Sequence, residues 1–92
     1  MKKLTIFYME SCPYCRKAVD AVKELRSGNS VYEKAEIEWI EETVHPDIAD
    51  DFDYYYVPSI YCGDKKLYEC SPKDDYNEIR RQVEGALKYA AE

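Results

Sequence analysis

Lys3 to Met9 reads KLTIFYM, an apolar run rich in strand-forming residues, and within a few residues it gives way to a different period. From Cys15 onward Ala18, Val19, Val22 and Leu25 recur at three- and four-residue spacing, so all five share one helical face. A strand that turns at once into an amphipathic helix must lay that helix back against its own sheet, and few architectures permit this.

The remaining pattern continues the alternation. Ser27 to Ser30, SGNS, supplies helix-stop and loop residues. Ala35, Ile37 and Trp39 alternate with Glu36 and Glu38, the signature of a half-buried strand at a sheet edge. Pro46 to Phe52 predicts a short helix with Ile48, Ala49 and Phe52 on one side. Val57 to Cys62, VPSIYC, predicts a strand; Gly63-Asp64 suits a two-residue hairpin turn, and KKLYEC supplies the returning strand. Ser71 and Pro72 are candidates for the cap and first residue of a final helix, whose stripe is Tyr76, Ile79, Val83, Ala86, Leu87 and Ala90. Gly85 weakens that helix by ~1 kcal/mol relative to alanine. The expected order is β-α-β-α-β-β-α. It describes one α/β domain over residues 1–92, with a central four-stranded mixed sheet flanked by three helices.

Composition narrows the function. Apolar residues make up 46% and charged residues 35%, which indicates a globular chain rather than a disordered one. A net charge of -6 argues against nucleic acid, whose phosphates require a basic patch. The acidic run between Glu33 and Asp53 reads as a solvated face, or more sharply as a surface that repels small anions. No apolar run is long enough for a bilayer, so no membrane partner is expected. MKKLTIFYME lacks the long apolar core and cleavage site of a signal peptide, so a cytoplasmic monomer is expected.

Four cysteines stand at 12, 15, 62 and 70. In a cytosolic chain with its own core, a close pair is more often catalytic or metal-binding than a structural disulfide. Cys12 falls between a strand and a helix, where free backbone N–H groups and the helix dipole favour an anion. A cysteine so placed can serve as a nucleophilic thiolate, and Cys15, one turn on, can resolve what it forms. Arg16 and Lys17 add nearby positive charge, while Glu10 opposes it. The competing reading is a metal or iron–sulfur site. Structural zinc wants four ligands, and Cys62 would lie ~13 Å along a strand from Pro58, so no metal ligand set is assigned.

CPYC at 12–15, directly after a strand and opening a helix, resembles the glutaredoxin active site. VPSI at 57–60 resembles the Val-Pro segment of the same family, and the predicted order resembles the minimal thioredoxin fold over nearly all of the chain. The resemblance implies a thiol-disulfide oxidoreductase concerned with cell redox homeostasis and electron transport. Cys12 would be the nucleophile and Cys15 the resolving thiol. Pro13, Tyr14, Val57 and a cis Pro58 would meet the substrate, with Pro58 as the docking corner. It implies no bound cofactor, with electrons from glutathione or a reductase and protein disulfides as partners.

The chain also departs from that family. Glu10 stands in MES where a lysine is usual, Tyr56 replaces the threonine before Val-Pro, and Tyr68-Glu69 replaces a Gly-Gly pair. Glycines let backbone approach a ligand closely; Tyr68 and Glu69 bring bulk and negative charge. Weak dependence on glutathione is therefore expected. A thioredoxin-like electron donor recharged by a flavoprotein is the alternative within the enzyme class, and a metal or iron–sulfur carrier using Cys12 is the alternative outside it.

Other residues carry smaller expectations. Tyr54-Tyr55-Tyr56 suits either loop packing or an aromatic docking surface. His45 reads as a surface turn residue, Trp39 as core and Cys62 as filler beside Ile60. Counting from a Gly63-Asp64 turn places Cys70 opposite Val57, either as an accessible, idle thiol or as a third thiol near the pair.

Overall fold

A computed structural model describes residues 1–92. Four strands, β1 (Leu4–Tyr8), β2 (Ile37–Glu41), β3 (Ser59–Cys62) and β4 (Lys65–Glu69), form one mixed sheet in the order β2-β1-β3-β4. β1 runs parallel to β2 and antiparallel to β3, and β3 runs antiparallel to β4. Four helices accompany them: α1 (Pro13–Ser27), α2 (Ser30–Glu33), α3 (Pro46–Ala49) and α4 (Tyr76–Ala91).

The sheet is covered on both faces, and β1 shows why its sequence is apolar without alternation. Leu4 and Ile6 face a core built with Ala18, Val22, Ile79, Val83 and Leu87 from α1 and α4. Phe7 points the other way, into a smaller cluster with Ile40, Ala49 and Tyr61 that Phe52 and Tyr54 cover. Four aromatic rings meet there: Phe7 lies 4.7 Å from Phe52, 5.0 Å from Tyr54 and 5.8 Å from Tyr61, centroid to centroid.

Three expectations change. The helix count is four rather than three, because the segment after Gly28 does not stay a loop. Asn29 Oδ1 accepts the N–H groups of Val31 and Tyr32 and caps the extra turn α2, which buries Tyr32. The final helix begins at Tyr76, not at Ser71-Pro72. Asp75 caps it by accepting Glu78 N–H, while Ser71 to Asp74 closes on itself as a turn through Asp74 N–H to Ser71 O.

The third change is in the hairpin. Gly63 adopts φ +62°, as the turn requires, and Cys62 pairs with Lys65. Between Tyr61↔Lys66 and Ile60↔Tyr68, however, a bulge leaves Leu67 without its own partner. Two consequences follow for the residues beyond it. Leu67 and Tyr68 both pack towards the α1–α4 core, and Lys66 and Glu69 come to the opposite face together. Cys70 shifts by one position, so its N–H donates to Pro58 O at 3.0 Å rather than facing Val57.

Candidate functional site

Cys12 is the N-cap of α1 and Pro13 its first residue, with Cys12 in extended backbone. Proline fits there because that N–H has no helical partner to lose. Arg16 N–H donates to Cys12 O, so the first turn of α1 is closed directly behind the thiol. Cys12 is half-buried. Cys15, one turn further, is 3% exposed and lies within side-chain hydrogen-bond reach of Cys12.

The two sulfurs have different surroundings. Burial pushes the Cys15 thiol up to about 12, although Met9 N–H, 3.4 Å from its sulfur, partly opposes this. The Cys15 thiol is therefore held protonated at neutral pH. Cys12 is instead open to the rim, and its Sγ lies 3.9 Å from Val57 O. A half-buried thiol at a helix start beside a buried, protonated one can perform two successive sulfur substitutions.

The Val57–Pro58 peptide is cis. Pro58 itself is almost fully buried, so the group facing Cys12 is the carbonyl of Val57 and the proline ring packs inside. Tyr14 is half-buried and spans the site: its hydroxyl donates to Pro72 O at 3.0 Å, and Lys17 Nζ sits 5.5 Å from its ring centroid. Arg16 and Glu10 are exposed, and Glu10 N–H donates to Glu41 Oε2. A shallow groove of about 270 Å³ between Tyr8, Met9, Glu10 and Arg16 reaches Cys15. The largest cleft, about 620 Å³ beside Phe52, Tyr61 and Lys66, includes neither cysteine.

Cys70 is 2% exposed, so it is not an accessible thiol. It lies close enough to Cys12 and Cys15 for their charges to act on one another, and burial raises its thiol. No group of three or more His, Cys, Asp or Glu side chains is disposed to close on a metal ion. Cys62 is half-buried beside Ile60, Trp39 packs against the main core, and exposed His45 caps α3 without a side-chain bond.

Tyr68 and Glu69, which replace the Gly-Gly pair of the resemblance, point to opposite faces of the sheet. Tyr68 is buried, its hydroxyl donating to Asp74 Oδ2, and that carboxylate also accepts Ser71 N–H. Glu69 turns away from the cysteines. Its Oε2 accepts the N–H groups of Tyr55 at 3.0 Å and Tyr56 at 2.9 Å, and its Oε1 receives Lys66 Nζ at 2.7 Å. Those bonds hold its carboxyl below the usual range. Its charge is therefore already matched by Lys66 and the two amides.

The triple tyrosine divides. Tyr54 is core, stacked on Phe7 and donating to Glu42. Tyr55 and Tyr56 are surface, and they lead directly into Val57. Glu69 as the anchor of this loop is the residue that sequence reasoning missed. Its only signal was a carboxylate three residues after Lys66, which a regular strand would place on the other face.

No protein-family model matches this chain, and no curated protein matches it.

Proposed function

We propose that the protein is a thiol-disulfide oxidoreductase of thioredoxin-like fold and glutaredoxin-like type, cycling between a Cys12–Cys15 dithiol and disulfide. The observation that carries this reading is the asymmetry of the pair: Cys12 half-exposed at the start of α1, Cys15 buried, protonated and within its reach. The Val57 carbonyl beside Cys12 Sγ supports it.

In the proposed cycle, Cys12 thiolate attacks one sulfur of a substrate disulfide. The S–S bond breaks, the first substrate thiolate leaves and takes a proton, and a mixed disulfide remains on Cys12. Cys15 then gives up its proton and attacks Cys12 Sγ. The second substrate thiol departs with that proton, and a Cys12–Cys15 disulfide is left. Substrate has gained two electrons and two protons. An external dithiol reductase, or two glutathione thiols, returns the protein to its reduced form.

Protein disulfides are the proposed substrates, and glutathione is a weak donor. The support for the second point is now steric. Where the resemblance implies a Gly-Gly pair that admits glutathione backbone, this chain has Tyr68, buried and bonded to Asp74 beside the closed Ser71–Asp74 turn. Turnover separates the donors. Insulin reduction should be supported by a flavin-dependent thioredoxin reductase and poorly by millimolar glutathione with its own reductase. Efficient turnover with glutathione alone would overturn the donor assignment, and failure with both would overturn the enzyme reading.

A further inference from the structure

Tyr55 is 83% exposed and Tyr56 44% exposed, an unusual outlay of aromatic surface for so small a chain. The two rings meet edge to face at 4.8 Å. Their backbone is not free to drift, because Glu69 accepts both N–H groups and Lys66 holds Glu69 in turn. Ser59 Oγ donates to Tyr56 O and fastens the loop from the other side. The next residue is Val57, whose carbonyl touches Cys12 Sγ. A fixed aromatic pair therefore directly precedes the residue whose carbonyl faces Cys12 Sγ.

The charge around this pair is one-sided. Glu42 and Asp50 share a groove with Tyr55 and have no cationic partner, since the four ion pairs of the chain are formed by other carboxylates. Lys66 is already engaged by Glu69 and by Asp53 O. A groove of about 370 Å³ lined by Glu42, Asp50, Tyr54 and Tyr55 continues the acidic surface away from Cys12. Positive charge lies elsewhere at the site, with Lys17 against Tyr14 in α1.

We infer that Tyr55 and Tyr56 are a docking surface for a partner polypeptide that carries lysine or arginine close to its reactive disulfide. A cation lowered onto this surface meets aromatic ring faces and unneutralised carboxylates together, and both attract it. Pre-ordering of the loop by Glu69 lowers the conformational cost of docking. This inference deepens the proposed redox reading and names the substrate class for the same site.

The test uses short disulfide peptides with lysine, alanine or glutamate two residues before the attacked cysteine, and a second set with the change two residues after it. Each sequence is also made with a thioether in place of the disulfide, so that binding is read without chemistry. In at least one position lysine should exceed alanine by about five- to tenfold in kcat/KM and in thioether affinity, with glutamate below alanine. Amide shifts on thioether binding should centre on Tyr55 and Tyr56. Raising salt from about 0.02 M to about 0.5 M, and the double variant Tyr55→Ser with Tyr56→Ser, should each remove most of that preference. Equal rates and affinities across the flanks, or binding that maps elsewhere, would overturn the inference while leaving the redox reading intact. Preferential thioether binding without turnover of any disulfide would uphold the surface and remove the redox reading.

Discussion

Cys70 N–H donates to the carbonyl of Pro58 at 3.0 Å, which ties the last residue of the hairpin to the segment that faces Cys12. A third thiol, 2% exposed, is thereby buried near Cys12 and Cys15. We predict that it becomes a fallback partner. In Cys15→Ser protein treated with a mild azo oxidant, Cys12 and Cys70 should lose their two hydrogens to the oxidant and form a minor disulfide. Peptide mapping should find that bridge, and its complete absence would make Cys70 packing alone.

Glu69 should matter for the loop before Pro58 rather than for anion repulsion. Removing its three bonds by Glu69→Ala should cost about 1–3 kcal/mol in urea unfolding and speed hydrogen exchange at Tyr55 and Tyr56. The folded carboxyl titrates below its unfolded value. Its contribution is thus present above the unfolded value, near pH ~4, and is lost as pH falls through the lower folded value. The acid limb of stability in Glu69→Gln should be flatter than in the parent. Identical limbs would mean that the bonds carry no net stability.

Paired glycines at 68 and 69 should not open a glutathione site. Tyr68 contributes a buried ring and a bond to Asp74. Tyr68→Gly with Glu69→Gly should therefore lower stability by at least ~4 kcal/mol, read by thermal and urea denaturation. A well-folded double variant with raised glutathione turnover would show that the Tyr68 packing is dispensable.

Alkaline pH should destabilise the fold. Cys15 stands at about 12 in the folded chain against 9.0 as its ordinary value, and burial raises Tyr54, Tyr61 and Tyr68 in the same direction. Each is favoured neutral in the folded state. That stability is complete below the unfolded values and falls away as pH rises from about 9 through the folded ones. Cys15→Ala should lose less of its stability between about pH 9 and pH 11 than the parent does, as judged by circular dichroism. An equal loss would mean that the buried thiol is not a source of the alkaline sensitivity.

The elements with strong local signals were legible in the sequence. β1 announces itself by KLTIFYM, α1 by Pro13 and its apolar face, the hairpin by Gly63, and α4 by a stripe of which Ile79, Val83, Leu87 and Ala90 are buried. What escaped depends on partners remote in sequence or on one-residue shifts. The bulge at Leu67 carries no glycine to mark it, yet it decides that Glu69 joins Lys66 and that Cys70 meets Pro58. The start of α4 was misplaced because Ser71-Pro72 and Asp75 offer rival caps, and the choice rests on Asp74 receiving Tyr68 from the strand before. Of the site, Cys12, Cys15 and Val57 were visible as motif residues. Met9 N–H on Cys15 was not, because a backbone amide has no sequence signal.

The central claim is that Cys12 attacks and Cys15 resolves, and trapping tests it most directly. Reduced parent, Cys12→Ser and Cys15→Ser proteins are mixed with a peptide disulfide at pH 7, quenched with acid and mapped by mass spectrometry. Cys15→Ser should accumulate a peptide adduct on Cys12, the parent should pass on to a Cys12–Cys15 disulfide with two free peptide thiols, and Cys12→Ser should carry no adduct. An adduct forming on Cys15 in the Cys12→Ser protein as fast as on Cys12 in the Cys15→Ser protein would contradict the account.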